Sequence, residues 1–276
     1  MEIKKILQKN NFKFEKKYGQ NFLTDDELLS SIVSRSGVDE NSVVVEIGVG
    51  AGTLTRQIAK KVKKVYGFEI DNNLKPILNE TLSEFSNVEL IFGDIMKTSV
   101  LELEQKIGGN YTVIANLPYY ITTPLIMRFV EDSTLCDAVV VTVQKEVAER
   151  LSAKAGTSDY GAITVSVNAV ADSQIIEYIY RDMFYPAPNV DSAVVKTVFN
   201  RKKFDGVDLV FLRKIIKCAF TMRRKTLVNN LVKDFSISRE IAEKCLTECG
   251  VSTGVRGEAL DVLDFVNLSK ILVKYI

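Results

Sequence analysis

The sequence predicts an α/β fold, a parallel sheet covered on both faces by helices, followed by a smaller all-helical domain. From residue 42 to about residue 143, short apolar runs rich in β-branched residues alternate with segments of helical spacing. Nearly continuous apolar strands of this kind are typical of a sheet that is buried on both faces. The alternation stops after Asn200. A chain of 276 residues is long enough for one large domain and one small one.

Strands and helices are expected to alternate along the α/β domain. Strands are predicted at 42–48, 64–70, 88–92, 111–115 and 138–143. Helices are predicted over 53–62, after Asp71 with Pro76 near the first turn, and around 124–130. Two later runs, 175–180 and 193–199, are expected to close one edge of the sheet.

The composition changes at a polar, basic stretch over 201–206. Helices are predicted beyond it at 209–220, 224–232, 239–249 and 261–275. We therefore expect a basic N-terminal arm over residues 1–20, an α/β domain over 21–202 and a helical domain over 203–276.

The net charge of +1 conceals a strong segregation of charge along the chain. Residues 1–20 carry six lysines against two glutamates, and residues 196–225 carry ten basic residues against two aspartates. The segment between them, 21–195, has a net charge of −10. Basic blocks beside an acidic body favour a polyanionic partner such as nucleic acid. A solvated linker and a frayed N-terminus would have the same composition.

Several classes of site are excluded by composition. The chain has no histidine, which excludes histidine-based triads, histidine zinc ligands and an imidazole base. The four cysteines, Cys136, Cys218, Cys245 and Cys249, do not form two ligand pairs, so we expect reduced buried thiols and no metal site. No apolar run has the length of a membrane span or a signal peptide, so we expect a cytoplasmic protein.

A glycine-rich turn joins the first predicted strand to its helix. Gly48, Gly50 and Gly52 are spaced by two residues, unlike the dinucleotide fingerprint, and no lysine follows at the P-loop position. Such a turn allows a ligand to approach the backbone and the free amides of the helix. A nucleoside with a compact cationic or amino-acid end would fit it, although a tight strand–helix turn also needs small residues.

Acidic residues follow three successive predicted strands. Glu46 ends the first strand, Glu69 ends the second, and Asp94 follows the third. In open α/β sheets these positions border the ligand crevice, where Glu69 could accept from ribose hydroxyls and Asp94 from an adenine amine. A crevice lined by carboxylates and few cationic side chains would repel the negative charge of a pyrophosphate. The same carboxylates fit a sulfonium ligand, S-adenosylmethionine.

The fourth strand ends in Asn116-Leu117-Pro118-Tyr119. The amine of adenine is a poor nucleophile because its lone pair is delocalised into the ring. Acceptors on the amine hydrogens, here the Asn116 side-chain oxygen and the Leu117 carbonyl, would favour attack, and Pro118 would fix the turn. Tyr119 offers a face on which a flipped base can stack. The alternative is a proline turn with an aromatic side chain packed on it.

These motifs occur in one order along most of the chain, and in that order the sequence resembles the ribosomal RNA adenine dimethyltransferase family. That family includes small-subunit enzymes and relatives that confer macrolide resistance. The resemblance rests on residues 18–23, 46–52, 69, 93–95, 116–120, 144–150, 184–192 and 223–227. Val49 and Ala51 stand where relatives often have other residues, such as proline at the first position, which puts only the fine shape of the turn in doubt.

The resemblance implies a Rossmann-like class I S-adenosylmethionine-dependent methyltransferase sheet with a small C-terminal all-helical domain. Residues 21–202 would bind S-adenosylmethionine, and residues 203–276 would bind RNA. The cofactor would be held by Gln20, Asn21, Leu23, Glu46, Gly48, Gly50, Glu69, Ile70, Asp94, Ile95 and Asn116. The target base would be held by Asn116, Leu117, Pro118, Tyr119 and Phe184.

The small-subunit branch is favoured by the stretches 154–161 and 186–193. The substrate would then be two neighbouring adenines in a hairpin loop of small-subunit ribosomal RNA within an immature subunit, and the enzyme would act as a monomer in ribosome biogenesis. The RNA phosphates would be contacted by Lys13, Lys16, Lys17, Arg223, Arg224 and Lys225. Two other classes stay open: a DNA or small-molecule methyltransferase, and a non-enzymatic binder such as an assembly checkpoint or transcription factor.

Overall fold

The structure is a computed structural model that describes residues 3–15 and 18–276, apart from the side chain of Lys4. Lys16 and Lys17, two of the predicted RNA contacts, lie outside the described residues. Among the described residues, no helix is both long enough and apolar enough to cross a membrane.

The chain divides into two compact units. The first comprises Met1–Ala148 and Gln174–Phe199, and the second comprises Glu149–Ser173 and Asn200–Ile276. The division near residue 200 lies close to the expected boundary. Residues 149–173, however, group with the C-terminal helices rather than with the sheet.

The first unit is built on a sheet of seven strands. The strands are β2 (Val43–Ile47), β3 (Lys64–Glu69), β4 (Val88–Phe92), β5 (Tyr111–Asn116), β6 (Cys136–Gln144), β7 (Ala171–Ile179) and β9 (Ser192–Phe199). Their order across the sheet is β4-β3-β2-β5-β6-β9-β7, in which β2 to β6 are parallel and β9 pairs antiparallel with β6. All five predicted parallel strands and the two late edge strands are thus confirmed.

A second, two-stranded sheet joins distant parts of this unit. β1 (Phe22–Leu23) pairs antiparallel with β8 (Phe184–Tyr185), with Phe22 opposite Tyr185 and Leu23 opposite Phe184. Neither strand is predicted from the sequence, because two-residue strands carry no measurable periodicity.

Helices cover both faces of the large sheet. They are α1 (Ile3–Lys9), α2 (Asp26–Ser36), α3 (Thr53–Ala59), α4 (Lys75–Thr81), α5 (Val100–Ile107), α6 (Tyr119–Asp132) and α7 (Lys145–Leu151). Asp25 caps α2 by accepting from the backbone N–H groups of Glu27 and Leu28. One apolar cluster contains residues of α2 and α3, and another contains residues of α1 and α4.

The N-terminal segment differs from the expected basic arm. Ile3 and Leu7 are 1% and 3% exposed and belong to the same apolar cluster as Leu74 of the α4 region. This segment contains an amphipathic helix, α1, whose apolar face is part of the core. The lysines between its apolar residues made the segment resemble a basic arm.

The second unit is helical, with α8 (Ala162–Asn168), α9 (Leu209–Thr221), α10 (Leu227–Phe235), α11 (Arg239–Glu248) and α12 (Val262–Leu272). Tyr160 makes an edge contact with Phe220, and the Gly156 N–H donates to the Glu258 carbonyl. These contacts explain why 149–173 groups with the C-terminal helices. The second of the four helices predicted in this part of the chain begins at Leu227 rather than Arg224, because Thr226 before it has an extended backbone.

Candidate active site

One cleft lies at the carboxyl ends of β2, β3, β4 and β5, with an empty space of about 1020 Å³ including its open mouth. A cleft of this size accommodates a nucleoside-sized ligand. It brings together thirteen of the predicted site residues. They are Gln20, Asn21, Gly48, Gly50, Glu69, Ile70, Asp94, Ile95, Asn116, Leu117, Pro118, Tyr119 and Phe184.

Glu69 is held rigidly at the end of β3. Its Oε2 accepts from the Gly50 N–H at 2.7 Å, and its Oε1 accepts from the Asp71 N–H at 2.8 Å. Burial raises the pKa of Glu69 above its usual value, while these hydrogen bonds oppose the rise. Each carboxylate oxygen can accept a second hydrogen bond, so Glu69 can still hold a ribose hydroxyl pair.

Asp71 links the carboxylate of Glu69 to the N-terminal segment that contains Gln20. Its Oδ2 accepts from Gln20 Nε2 at 2.9 Å, and its Oδ1 caps the following 3-10 turn by accepting from the Asn73 N–H. Asp71 is 1% exposed, so this is a buried connection between residues 51 positions apart.

The glycine turn and the β1 segment fit against each other. A Cβ atom on Gly50 would lie 2.8 Å from Cε1 of Phe22, and Gly50 has a φ of +59°. A Cβ atom on Gly48 would lie 2.7 Å from Cδ2 of Leu117, at a φ of +77°. Both positions therefore need glycine for two reasons, backbone conformation and close approach.

Asp94 follows β4 and caps a 3-10 turn. Its Oδ1 accepts from the Met96 N–H at 2.9 Å, and the residue lines the cleft. Arg128 of α6 donates to the carbonyls of Ile95 and Thr98. The turn that carries Asp94 is therefore fastened to the helix that begins at Tyr119.

Asn116, at the end of β5, has a defined amide orientation. Its Nδ2 donates to the Asn21 carbonyl at 3.2 Å. Because this hydrogen bond occupies Nδ2, the side-chain oxygen Oδ1 is on the other side of the amide. Oδ1 can accept a hydrogen bond from a donor group in the cleft.

Aromatic side chains line the part of the cleft beside Asn116. The Tyr119 hydroxyl is 2.7 Å from Oγ of Ser192, the first residue of β9, and this hydrogen bond fixes the direction of the ring. Burial raises the pKa of Tyr119. Phe184 lies on β8 and is 5% exposed, and Tyr120, which is 69% exposed, also lines the cleft.

The charge of the cleft fits a cationic ligand better than a phosphate. Its described lining residues include the carboxylates of Glu69 and Asp94 but no lysine or arginine. Apolar walls are provided by Ile70 and Ile95. Carboxylate acceptors beside apolar walls suit the nucleoside and the sulfonium of S-adenosylmethionine.

Comparisons with known proteins identify the family of the chain. A model of the family described as ribosomal RNA adenine dimethylase matches residues 11–274. The chain belongs to the ribosomal RNA adenine dimethylase family. The family predicted from the sequence is confirmed. The predicted Rossmann-like methyltransferase fold and the predicted S-adenosylmethionine-dependent rRNA adenine dimethyltransferase class are confirmed with it.

Relatives of this dimethylase family member match over nearly their whole length. Ribosomal RNA small subunit methyltransferase A of Bacillus cytotoxicus is 40% identical over 99% of this chain and 96% of its own. The protein of the same name from Clostridioides difficile is 41% identical over 98% of this chain and 94% of its own.

Two solved structures show the same fold. A dimethyladenosine transferase from Plasmodium falciparum superposes with a TM-score of 0.79, covering 92% of this chain and 98% of the other at 24% identity. The 23S rRNA methyltransferase ErmE superposes with a TM-score of 0.72 at the same identity, covering 92% of this chain and all of the other.

Two predicted site residues of this dimethylase family member lie behind the cleft wall. Leu23 is 1% exposed and packs in the core, because side chains alternate along β1 and its neighbour Phe22 takes the cleft side. Glu46 is 0% exposed, and neither of its carboxylate oxygens has a hydrogen-bond partner among the described residues. Burial, together with the charge of Glu69, raises the pKa of Glu46 to about 8.

The predicted RNA contacts within the described residues are all exposed. Lys13 follows α1. Arg223, Arg224 and Lys225 lie in the turn between α9 and α10, where Arg223 is 3.7 Å from the carboxylate of Glu258.

Three residues that hold the site together are not predicted from the sequence. Asp71 and Ser192 carried usable signals, since Asp71 stands at a helix N-terminus and Ser192 lies in a recognised motif. Arg128 carried none, because a single arginine on a helix does not reveal which carbonyls it reaches.

Proposed function

We propose that this protein dimethylates the N6 amine of each of two adjacent adenines in a hairpin loop of small-subunit ribosomal RNA, with S-adenosylmethionine as the methyl donor. The acceptor is an immature small subunit in the cytoplasm, and the enzyme acts as a monomer. The observation that carries the proposal is the amide of Asn116, whose Nδ2 is engaged by the Asn21 carbonyl.

The residues of the chain have distinct roles in this reaction. Glu69 accepts from the ribose hydroxyls of the cofactor, and Asp94 accepts from its adenine amine. When bound, the cofactor supplies an electrophilic methyl group on a sulfonium. Asn21, Gln20 and the backbone of Gly48 lie beside the part of the cleft where that end fits.

The target adenine is held between aromatic rings. Tyr119, directed by Ser192, and Phe184 take the two faces of the base. Asn116 Oδ1 and the Leu117 carbonyl accept the two amine hydrogens, and Pro118 fixes the turn between them. A bound S-adenosylmethionine would supply the methyl carbon, and its carbon–sulfur bond would break in line with the approaching amine nitrogen, leaving the electron pair on sulfur as a neutral thioether. The surplus proton would leave the amine to solvent. The acceptors stabilise the positive charge that develops on nitrogen.

A tritium-methyl transfer assay tests the proposal. Small subunits that lack the modification should accept label on adenine, whereas a DNA oligonucleotide of the loop sequence should not. Unlabelled ribosomal RNA, or label recovered on another base, would overturn the proposal.

Asn116→Ala should lower the single-turnover rate by about 10²–10³-fold, since it removes one preorganised charge-stabilising contact. The affinity for S-adenosylmethionine should change little. Asn116→Asp keeps an acceptor oxygen but cannot donate to the Asn21 carbonyl, so comparing it with Asn116→Ala separates the loss of the acceptor from the loss of that hydrogen bond. Equal single-turnover rates for Asn116→Ala and the parent would contradict the role of Asn116.

A further inference from the structure

A second depression lies on the same unit, next to the cleft. It is lined by Gln144, Lys145, Glu146, Arg181, Asn189, Val190 and Asp191. Gln144 ends β6 and pairs in register with Ser192 of β9. Because Ser192 is also the residue that bonds Tyr119, this depression is adjacent to the proposed position of the target base.

Asp191 makes the depression rigid. Its Oδ1 accepts from the Arg181 N–H at 3.0 Å, and its backbone carbonyl accepts from the Lys145 N–H at 3.1 Å. One residue thus fixes the main chain of both cationic residues that border the depression.

Two tyrosines continue the surface beyond Lys145 and Arg181. Tyr178 and Tyr180 are 51% and 67% exposed, while Ile179 between them is fully buried. The backbone of Tyr180 is extended, with φ −71° and ψ 146°, so the alternation of β7 continues through it. Side chains two residues apart in an extended chain lie on one face with their Cα atoms about 7 Å apart, and we infer this arrangement for Tyr178 and Tyr180. Lys145 Nζ lies 5.9 Å from the centroid of the Tyr178 ring.

The chemistry of this surface suits a nucleobase more than a phosphate. Side-chain amides at Gln144 and Asn189 offer donors and acceptors. The charges of Lys145 and Arg181 are matched by the exposed carboxylate of Glu146 and by Asp191, so the surface is not a strong anion site. Exposed aromatic rings beside amides are typical of proteins that bind unstacked bases of single-stranded RNA.

We propose that Tyr178, Tyr180, Lys145 and Arg181, together with the depression beside them, bind a splayed base of the RNA loop that flanks the target adenine. This inference rests on the proposed function and assigns it a second base-binding surface. The tyrosine rings stack on the flanking base, and the amides hold its edge.

The test compares the KM for unmodified small subunits among tyrosine variants. The double variant Tyr178→Ala/Tyr180→Ala should raise this KM about tenfold or more, because stacking on an aromatic ring contributes strongly per base. Tyr178→Phe/Tyr180→Phe keeps both rings and should behave like the parent. The affinity for S-adenosylmethionine and the thermal midpoint should stay unchanged in both.

A matched control is Tyr66→Ala on β3. A lysine also lies over this ring, with Lys64 Nζ 5.3 Å from its centroid. Tyr66, however, does not lie at the carboxyl end of β3. The KM of this variant for subunits should equal that of the parent. An unchanged KM in the double alanine variant would overturn the inference while leaving the proposed function intact. A parent protein that transfers no methyl group would instead overturn the function.

Crosslinking identifies what the surface contacts. A photoreactive phenylalanine at position 180 should crosslink to ribosomal RNA within a few nucleotides of the methylated adenines. A crosslink to a ribosomal protein, or to a distant RNA segment, would contradict the assignment.

Discussion

Glu46 and Glu69 lie on neighbouring strands and are both buried, but they are in different environments. Glu69 accepts two backbone hydrogen bonds, whereas Glu46 accepts none from the backbone of the described residues, and the nearby Thr55 side chain only partly opposes the rise of its pKa. Burial and the nearby charge of Glu69 raise the pKa of Glu46 to about 8. At neutral pH Glu46 is therefore mostly protonated, and the burial of a second negative charge beside the cofactor site is avoided.

Glu46→Gln should make the stability of the protein less dependent on pH. The native state keeps the Glu46 proton between a pH near 4.5 and a pH near 8, whereas the unfolded state releases it, so stability falls as pH rises through this window. The slope from this group is at most about 1.4 kcal/mol per pH unit. Urea unfolding without cofactor at pH 5.5 and 7.5 should show that Glu46→Gln gains stability relative to the parent at the higher pH.

Glu104→Gln is the matched control, because Glu104 is also buried but receives hydrogen bonds from Ser133, Thr134 and Leu135. Burial acts to raise its pKa, and these bonds outweigh burial and lower it. Glu104→Gln should lose stability relative to the parent at pH 7.5. If Glu46→Gln instead lost stability relative to the parent as pH rises, the conclusion that Glu46 is protonated at neutral pH would be wrong.

Glu69→Ala should weaken the binding of S-adenosylmethionine by roughly 10–100-fold, since hydrogen bonds to a charged acceptor contribute about 1.5–3 kcal/mol. Isothermal calorimetry measures this directly. An unchanged Kd would show that Glu69 does not contact the ligand. Glu69→Gln, which keeps one acceptor oxygen, should bind with intermediate affinity.

At the scale of elements, the cleft depends on how the glycine turn meets the β1–β8 pair. Phe22 of β1 makes ring contacts with Phe14, and Phe14 contacts Tyr185 of β8. Gly50 faces the ring of Phe22 and donates to Glu69. The turn therefore connects the aromatic cluster to the residue proposed to hold the ribose.

Gly50→Ala should lower both stability and cofactor affinity. The left-handed φ costs an alanine about 1–2 kcal/mol, and its Cβ would force the Phe22 ring to move. Thermal unfolding and calorimetry measure the two losses. Gly109→Ala is the control, because no atom lies within 4 Å of its Cβ position and its φ is not left-handed. Equal effects of the two substitutions would contradict the close fit.

Along the chain as a whole, charge is segregated, and we expect the basic segments to contribute to RNA binding independently of the RNA sequence. Arg224 and Lys225 are exposed in the turn before α10, and Arg223 beside them faces Glu258. Phosphate contacts of this kind weaken as salt rises, because binding releases counterions from the RNA.

Arg224→Ala/Lys225→Ala should weaken subunit binding and reduce the slope of log K against log salt by about one for each lost phosphate contact. The rate at saturating subunit should stay the same. Lys233→Ala/Lys270→Ala removes the same charge from exposed positions of the same unit and should leave the slope unchanged. Equal slopes for the parent and Arg224→Ala/Lys225→Ala would exclude these residues as phosphate contacts.

The parallel strands, the glycine turn and the strand ends that carry Glu69, Asp94 and Asn116 could all be predicted from the amino-acid sequence. These features depend on local periodicity and turn chemistry, which act over a few residues. Parallel strands meet at a common edge, so their ends converge whatever the details of packing.

Contacts between segments that are distant in the chain could not be predicted and were found only in the folded protein. The pairing of β1 with β8, the bond from Gln20 to Asp71 and the bond from Ser192 to Tyr119 each join residues more than 50 positions apart. The packing of 149–173 with the C-terminal helices and the burial of α1 have the same origin. Such contacts are selected by complementary shape and hydrogen bonding in the folded core, and no local pattern along the chain records them.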